Sequence, residues 1–174
     1  MLGDIRRLLA PAEASERAGV ELRIKGAVAG LPLLMRQARD ANPALPRVGE
    51  AIAALREAVR IQDWPRAQSA LAHLASAYPF DALALVSPEP TAERIAAGKA
   101  IHEEACAGCH DAPSSDSILP ARNLARWAKT MPAEEFAARL FAGIRGDALT
   151  GLANPFGASE LAALLAFYRN ASGD

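Results

Sequence analysis

Aromatic residues make up only 5% of the 174 residues, which excludes a core built mainly from stacked rings. There is no excess of either charge: 19 Lys and Arg face 20 Asp and Glu. A basic surface for wrapping nucleic acid is therefore absent, and no nucleic-acid partner is expected. The longest apolar run, Ala27 to Met35, is broken by Gly30 and Pro32. It falls far short of the roughly 20 residues a spanning helix needs, so no transmembrane segment is expected. The residues after Met1 lack the apolar stretch of a secretory signal. Two expectations follow: a cytoplasmic protein, or one whose leader peptide is absent from the chain. What is abundant is alanine, with 41 copies. Alanine loses least on entering a helix, which points to an all-α fold.

The first 88 residues are punctuated by Pro11, Gly26, Gly30 with Pro32, Asn42 to Pro46, and Trp64-Pro65. Between these breaks, helices are predicted over about 12–25, 31–41, 49–62 and 66–78. Ile52, Leu55, Val59 and Ile61 mark the apolar face of the third. Ala67, Ala70, Leu71, Leu74 and Tyr78 mark that of the fourth. Together they predict a helical bundle or paired hairpins. Tyr78 to Pro90 reads as an extended linker, placing an N-terminal helical domain and linker over 1–90 and a second domain over 91–174.

The two cysteines stand in the second domain as Cys106-Ala107-Gly108-Cys109-His110. A thioredoxin-like dithiol would need a strand leading into the pair, whereas Thr91 to Ala105 reads as helix. A structural zinc site needs four ligands, and His73 and His102 do not form a second cluster. Covalent attachment of haem c is the third reading, because C-x-x-C-H is its sequence mark. Each thiol adds to one haem vinyl group and His110 binds the iron as proximal ligand.

The flanks extend this reading. Gly98 precedes Cys106 by eight residues on the approach helix, and Ser159 to Arg169 forms an apolar-faced helix with Leu161, Leu164, Leu165 and Tyr168 on one side. Ser159 is expected to cap it. Pro132 to Ala142 reads as a middle helix, with Phe136, Leu140 and Phe141 on one face and Gly143 at its end. Taken with the motif, residues 92–170 resemble a class I c-type cytochrome. The resemblance implies that Gly98 lets the C-terminal helix cross closely. It implies that the Pro120 carbonyl accepts the hydrogen bond of His110, and that Trp127 lies near the haem propionates, with Arg122 and Arg126 as cations at the same edge. It also implies periplasmic maturation and a role as electron carrier rather than enzyme. A c-prime type bundle is the alternative fold, although 64 residues following the motif fit the class I pattern better.

The pattern departs from that family where the second axial ligand belongs. The segment Gly143 to Gly157 contains no methionine, and Leu152 stands where the methionine is expected. Four distal arrangements stay open: a five-coordinate iron walled by Leu152 and Phe156, weak ligation by Asn154, ligation by Met131, or ligation by His73 from the first domain. His102 is expected to pack. An open distal face would suit NO, CO or O₂ and makes a gas-binding or sensing protein the alternative to a one-electron carrier. A peroxidase is disfavoured, since Arg145 and Asp147 lack a histidine beside them. The first domain is expected to dock a redox partner protein, to form a homodimer, or to cap the haem.

Overall fold

The computed structural model describes residues 1–11, 14–81, 89–113, 120–143 and 154–171. Every regular element among them is an α-helix, as the composition predicts. The chain divides into two compact units, Met1–Phe80 and Asp81–Asp174.

The N-terminal unit contains α1 (Leu2–Leu9), α2 (Ala14–Ala41), α3 (Gly49–Arg60) and α4 (Trp64–Ala77). α1 was not expected from the sequence. It buries Ile5 and Leu8 against its neighbours, and its buried Asp4 meets Arg23 of α2 at 2.5 Å. α2 differs from the two shorter helices predicted, because it runs unbroken through Gly26, Gly30 and Pro32. The reason is the buried series Val20, Ile24, Val28 and Leu31. That series is a continuous stripe of helical period, and tertiary burial along it outweighs a local cost of about 1 kcal/mol per glycine and about 3 for proline. α3 and α4 pack on one another through Leu55, Val59, Leu71 and Leu74, with Trp64 buried at the corner. Asp63 caps α4 by accepting from the Arg66 N–H at 3.1 Å. Ile61 lies in the turn after α3 and is exposed rather than on the apolar face.

The C-terminal unit contains α5 (Ala92–Ala105), α6 (Ala107–His110), α7 (Leu124–Thr130), α8 (Ala133–Ala142) and α9 (Ala158–Asn170). α5 lies along α9, and α7 and α8 close over α9 from elsewhere on its surface. The core is Phe136, Ala137, Leu164, Leu165 and Tyr168. Phe141 faces solvent instead of joining it. It stands five residues after Phe136, and at 100° per residue that offset carries it off the buried face. α9 is capped by Glu160, whose carboxylate accepts from the Gly157 N–H at 2.7 Å, and Ser159 plays no part. No helix among the described residues is long and apolar enough to cross a membrane.

Candidate functional site

The site begins with the crossing of α5 and α9. A Cβ placed on Gly98 would lie 2.0 Å from the Ala163 carbonyl oxygen and 2.8 Å from Phe167 Cβ. Only glycine allows this approach, and the helices meet where the sequence reading expected them to. One turn further along α5, His102 therefore faces the same helix.

Beyond His102 the chain tightens into the motif turn. The Cys106 N–H donates to the His102 carbonyl at 2.9 Å, while the Cys106 carbonyl accepts from the N–H groups of Cys109 and His110 at 3.2 and 3.0 Å. This helical winding sets Cys106, Cys109 and His110 at i, i+3 and i+4, on one face. Neither cysteine is in a disulfide; Cys106 is half-buried and Cys109 exposed.

His110 Nδ1 lies 2.6 Å from the Arg122 carbonyl oxygen. Nδ1 therefore carries the proton and donates it, which leaves the Nε2 lone pair available to a metal. The expected acceptor was the carbonyl of Pro120, two residues earlier. Proline restricts the backbone just before it and fixes its own φ, and the chain turns its next carbonyl but one toward the ring just ahead of the Asn123 cap of α7. Pro120 itself is half-buried.

A second set of contacts pins the same turn to α9. His102 Nε2 lies 3.0 Å from Asp111 Oδ2, and His102 Nδ1 lies 2.9 Å from the Tyr168 hydroxyl. With Nε2–H donating to the carboxylate, Nδ1 accepts from the Tyr168 O–H. The Tyr168 hydroxyl also lies close enough to the Cys106 thiol to influence its ionisation. Burial pushes that thiol above its ordinary range; the Tyr168 hydroxyl opposes the shift, and the Asp111 charge adds to it. Burial pushes the Tyr168 phenol strongly upward as well, reinforced by its Cys106 and Asp111 neighbours. A thiol held neutral in this way is a poor redox nucleophile. The sequence reading saw His102 only as packing and did not notice Asp111. The available signal was the spacing of His102 four residues after Gly98, which places it on the crossing face.

Around the core lies a margin of half-buried apolar side chains that includes Trp127, Met131, Leu140 and Phe156. Arg139 sits over the Trp127 ring at 5.6 Å and pairs with Glu135 at 2.9 Å. Met131 and Phe156 thus pack against the same core cluster. Asn154 does not suit an iron ligand. Its amide donates to the Leu140 carbonyl at 2.6 Å and accepts from the Phe156 N–H at 3.3 Å. Both ends of the side chain are committed to backbone at the end of α8. His73 is exposed on α4 in the N-terminal unit, and Arg122 and Arg126 are exposed. Leu152, Arg145 and Asp147 lie outside the described residues.

The donor set can be set beside the requirements of each reading of the motif. Among the described residues no group of three or more His, Cys, Asp or Glu side chains converges on a point, as a zinc site requires. No strand enters the motif, as a thioredoxin-like dithiol requires. Two thiols and an oriented imidazole spread along one helical face, beside an apolar surface, fit covalently attached haem. Compared with protein-family models, with curated proteins and with solved structures, the chain matches none.

Proposed function

We propose that the C-terminal unit is a monohaem c-type cytochrome domain and that the protein carries single electrons. In this reading Cys106 and Cys109 form the two thioethers and His110 Nε2 is the proximal iron ligand. The observation that carries it is the 2.6 Å hydrogen bond from His110 Nδ1 to the Arg122 carbonyl. That bond selects the tautomer and fixes the ring plane. Covalent haem supplies a one-electron iron couple at this turn. The chain supplies the rest: the thiols anchor, Arg122 orients His110, and Trp127, Met131, Leu140 and Phe156 offer an apolar surface that excludes water. Haem attachment takes place outside the bacterial cytoplasm, so the proposed location is the periplasm. Both cysteines are used in attachment, which suits an oxidising compartment.

Coexpression with a haem-attachment system tests the reading. The product should retain haem through acid-acetone extraction, and its pyridine haemochrome spectrum should be that of a haem with two thioethers. Protein that matures without covalent haem refutes it. A second reading, binding of a diatomic gas, is favoured by the commitment of both Asn154 amide ends to backbone. Under that reading the reduced protein shifts its bands on adding CO; under the electron-carrier reading it does not.

A further inference from the structure

A groove of about 470 Å³ runs between α2 and α3 in the N-terminal unit. Four arginines line it, Arg36 and Arg39 from α2, Arg47 from the connection and Arg56 from α3, with no acidic residue among the lining. Its floor is apolar, formed by Pro32, Met35 and Ile52. Four other arginines of this unit are matched: Arg7 with Glu16, Arg17 with Glu21, Arg23 with Asp4 and Arg60 with Glu57. None of the four in the groove has a carboxylate partner among the described residues, and Asp40 and Glu50 nearby do not line it. Arg39 adds a second observation, because its Nε is buried and makes no hydrogen bond.

The same end of the groove holds the start of α3. Val48 occupies its N-cap and offers no side-chain acceptor. The first N–H groups of the helix and the positive end of its dipole thus add to the arginines. The space around Gly49 is open, with nothing within 4 Å of the position a Cβ would take. From Gly49 to Arg56 the helix advances about 10 Å, so the charges are spread along the groove and not focused on one point. A single small anion would leave most of them unmatched.

We propose that this groove binds an acidic, amphipathic segment of a partner protein, its carboxylates meeting Arg36, Arg39, Arg47 and Arg56 and its apolar side chains covering Pro32, Met35 and Ile52. The proposal concerns the N-terminal unit alone and stands or falls independently of haem attachment.

Fluorescence anisotropy of the full chain with a rhodamine-labelled peptide of Glu-Glu-Leu-Leu repeats tests it. Binding should weaken with added salt. The double variant Arg47→Glu with Arg56→Glu, both at exposed positions, should weaken it about tenfold or more, given the usual worth of exposed ion pairs. The control double variant Lys25→Glu with Arg66→Glu carries the same charge change at exposed positions of the same unit that do not line the groove, and should bind as the native chain does. Circular dichroism confirms that each variant is folded. Absence of peptide binding overturns the proposal, as does equal binding of a Lys-Lys-Leu-Leu peptide or undiminished binding by the groove variant. Tighter binding to phosphatidylcholine vesicles containing phosphatidylglycerol, or to a single-stranded oligonucleotide, overturns it in favour of that partner.

Discussion

Replacing Gly98 by alanine puts the packing argument to its sharpest test. The added Cβ would start 2.0 Å from the Ala163 carbonyl oxygen and 2.5 Å from its carbon, where ordinary contact begins at 3.4 Å. The carbonyl must therefore retreat by about 1.4 Å, and because it is helix backbone it cannot swing aside alone. α9 as a whole must move from α5, which stretches the 2.9 Å contact between His102 and Tyr168 beyond hydrogen-bonding range. Overpacking of this kind costs about 1–3 kcal/mol, and a lost buried hydrogen bond about 1 more. Alanine returns about 1 kcal/mol of helix propensity. The net loss is about 1–3 kcal/mol, or a fall in Tm of about 4–24 °C for a unit of this size. Thermal unfolding followed by far-ultraviolet circular dichroism measures it. Gly26→Ala and Gly30→Ala supply the contrast, since neither position has an atom within 4 Å of the new Cβ. Each should gain about 0.5–1 kcal/mol from propensity. Were Gly98→Ala as stable as the native chain, the close crossing of α5 and α9 would be wrong, and the placement of His102 with it.

Tyr168→Phe keeps the ring in the core but removes the hydroxyl that pairs with His102, and should cost about 1–2 kcal/mol by denaturant titration at neutral pH. The Tyr168 phenol and the Cys106 thiol are both raised in the folded state. The unfolded chain thus gives up these protons first, and stability should fall as pH climbs above 9 to 10, the ordinary values of the two groups. Tyr168→Phe should flatten that alkaline loss; an unchanged pH profile would refute the coupling. Asn154→Ala should lower stability by about 1–2 kcal/mol by releasing the Leu140 carbonyl and the Phe156 N–H, while the haem absorption bands stay where they were. A change of spin state in that variant would restore Asn154 as a ligand. His110→Ala should still attach haem through the thiols but show altered, weakly held axial ligation, read as a shift of the ferric and ferrous bands.

Local chemistry accounts for what was legible in advance. The 3.6-residue rhythm marked α3, α4, α8 and α9, and Leu161, Leu164, Leu165 and Tyr168 are buried as that rhythm implies. Gly98 could be placed through the resemblance to class I cytochromes, and the 2.0 Å approach of the Ala163 carbonyl to its missing Cβ gives the physical reason. α2 was misread for the opposite reason: Gly26, Gly30 and Pro32 are local breakers, while Val20, Ile24, Val28 and Leu31 hold the helix together through neighbours distant in sequence. The His110 acceptor was misplaced by two residues because loop register depends on where α7 begins, at its Asn123 cap. The contact of His102 with Tyr168 joins residues 66 apart, and no short window contains both. The unpaired arginines of the groove were hidden for the same reason, since a balanced total charge conceals where the charges gather.

That 66-residue span has a consequence for the order of events in a newly made chain. The turn carrying Cys106, Cys109 and His110 is complete in hydrogen-bond terms within a few residues, but the clasp that shelters the Cys106 thiol needs Tyr168 near the end of α9. Closing so long a loop carries an entropy cost that only the assembled α5–α9 contact repays. Until α9 docks, the Cys106 thiol is therefore as open as that of Cys109, which stays exposed in the folded unit. Docking of α9 thus sets apart two sulfurs that the motif turn alone would leave alike: Cys106 is half-covered and Cys109 remains open.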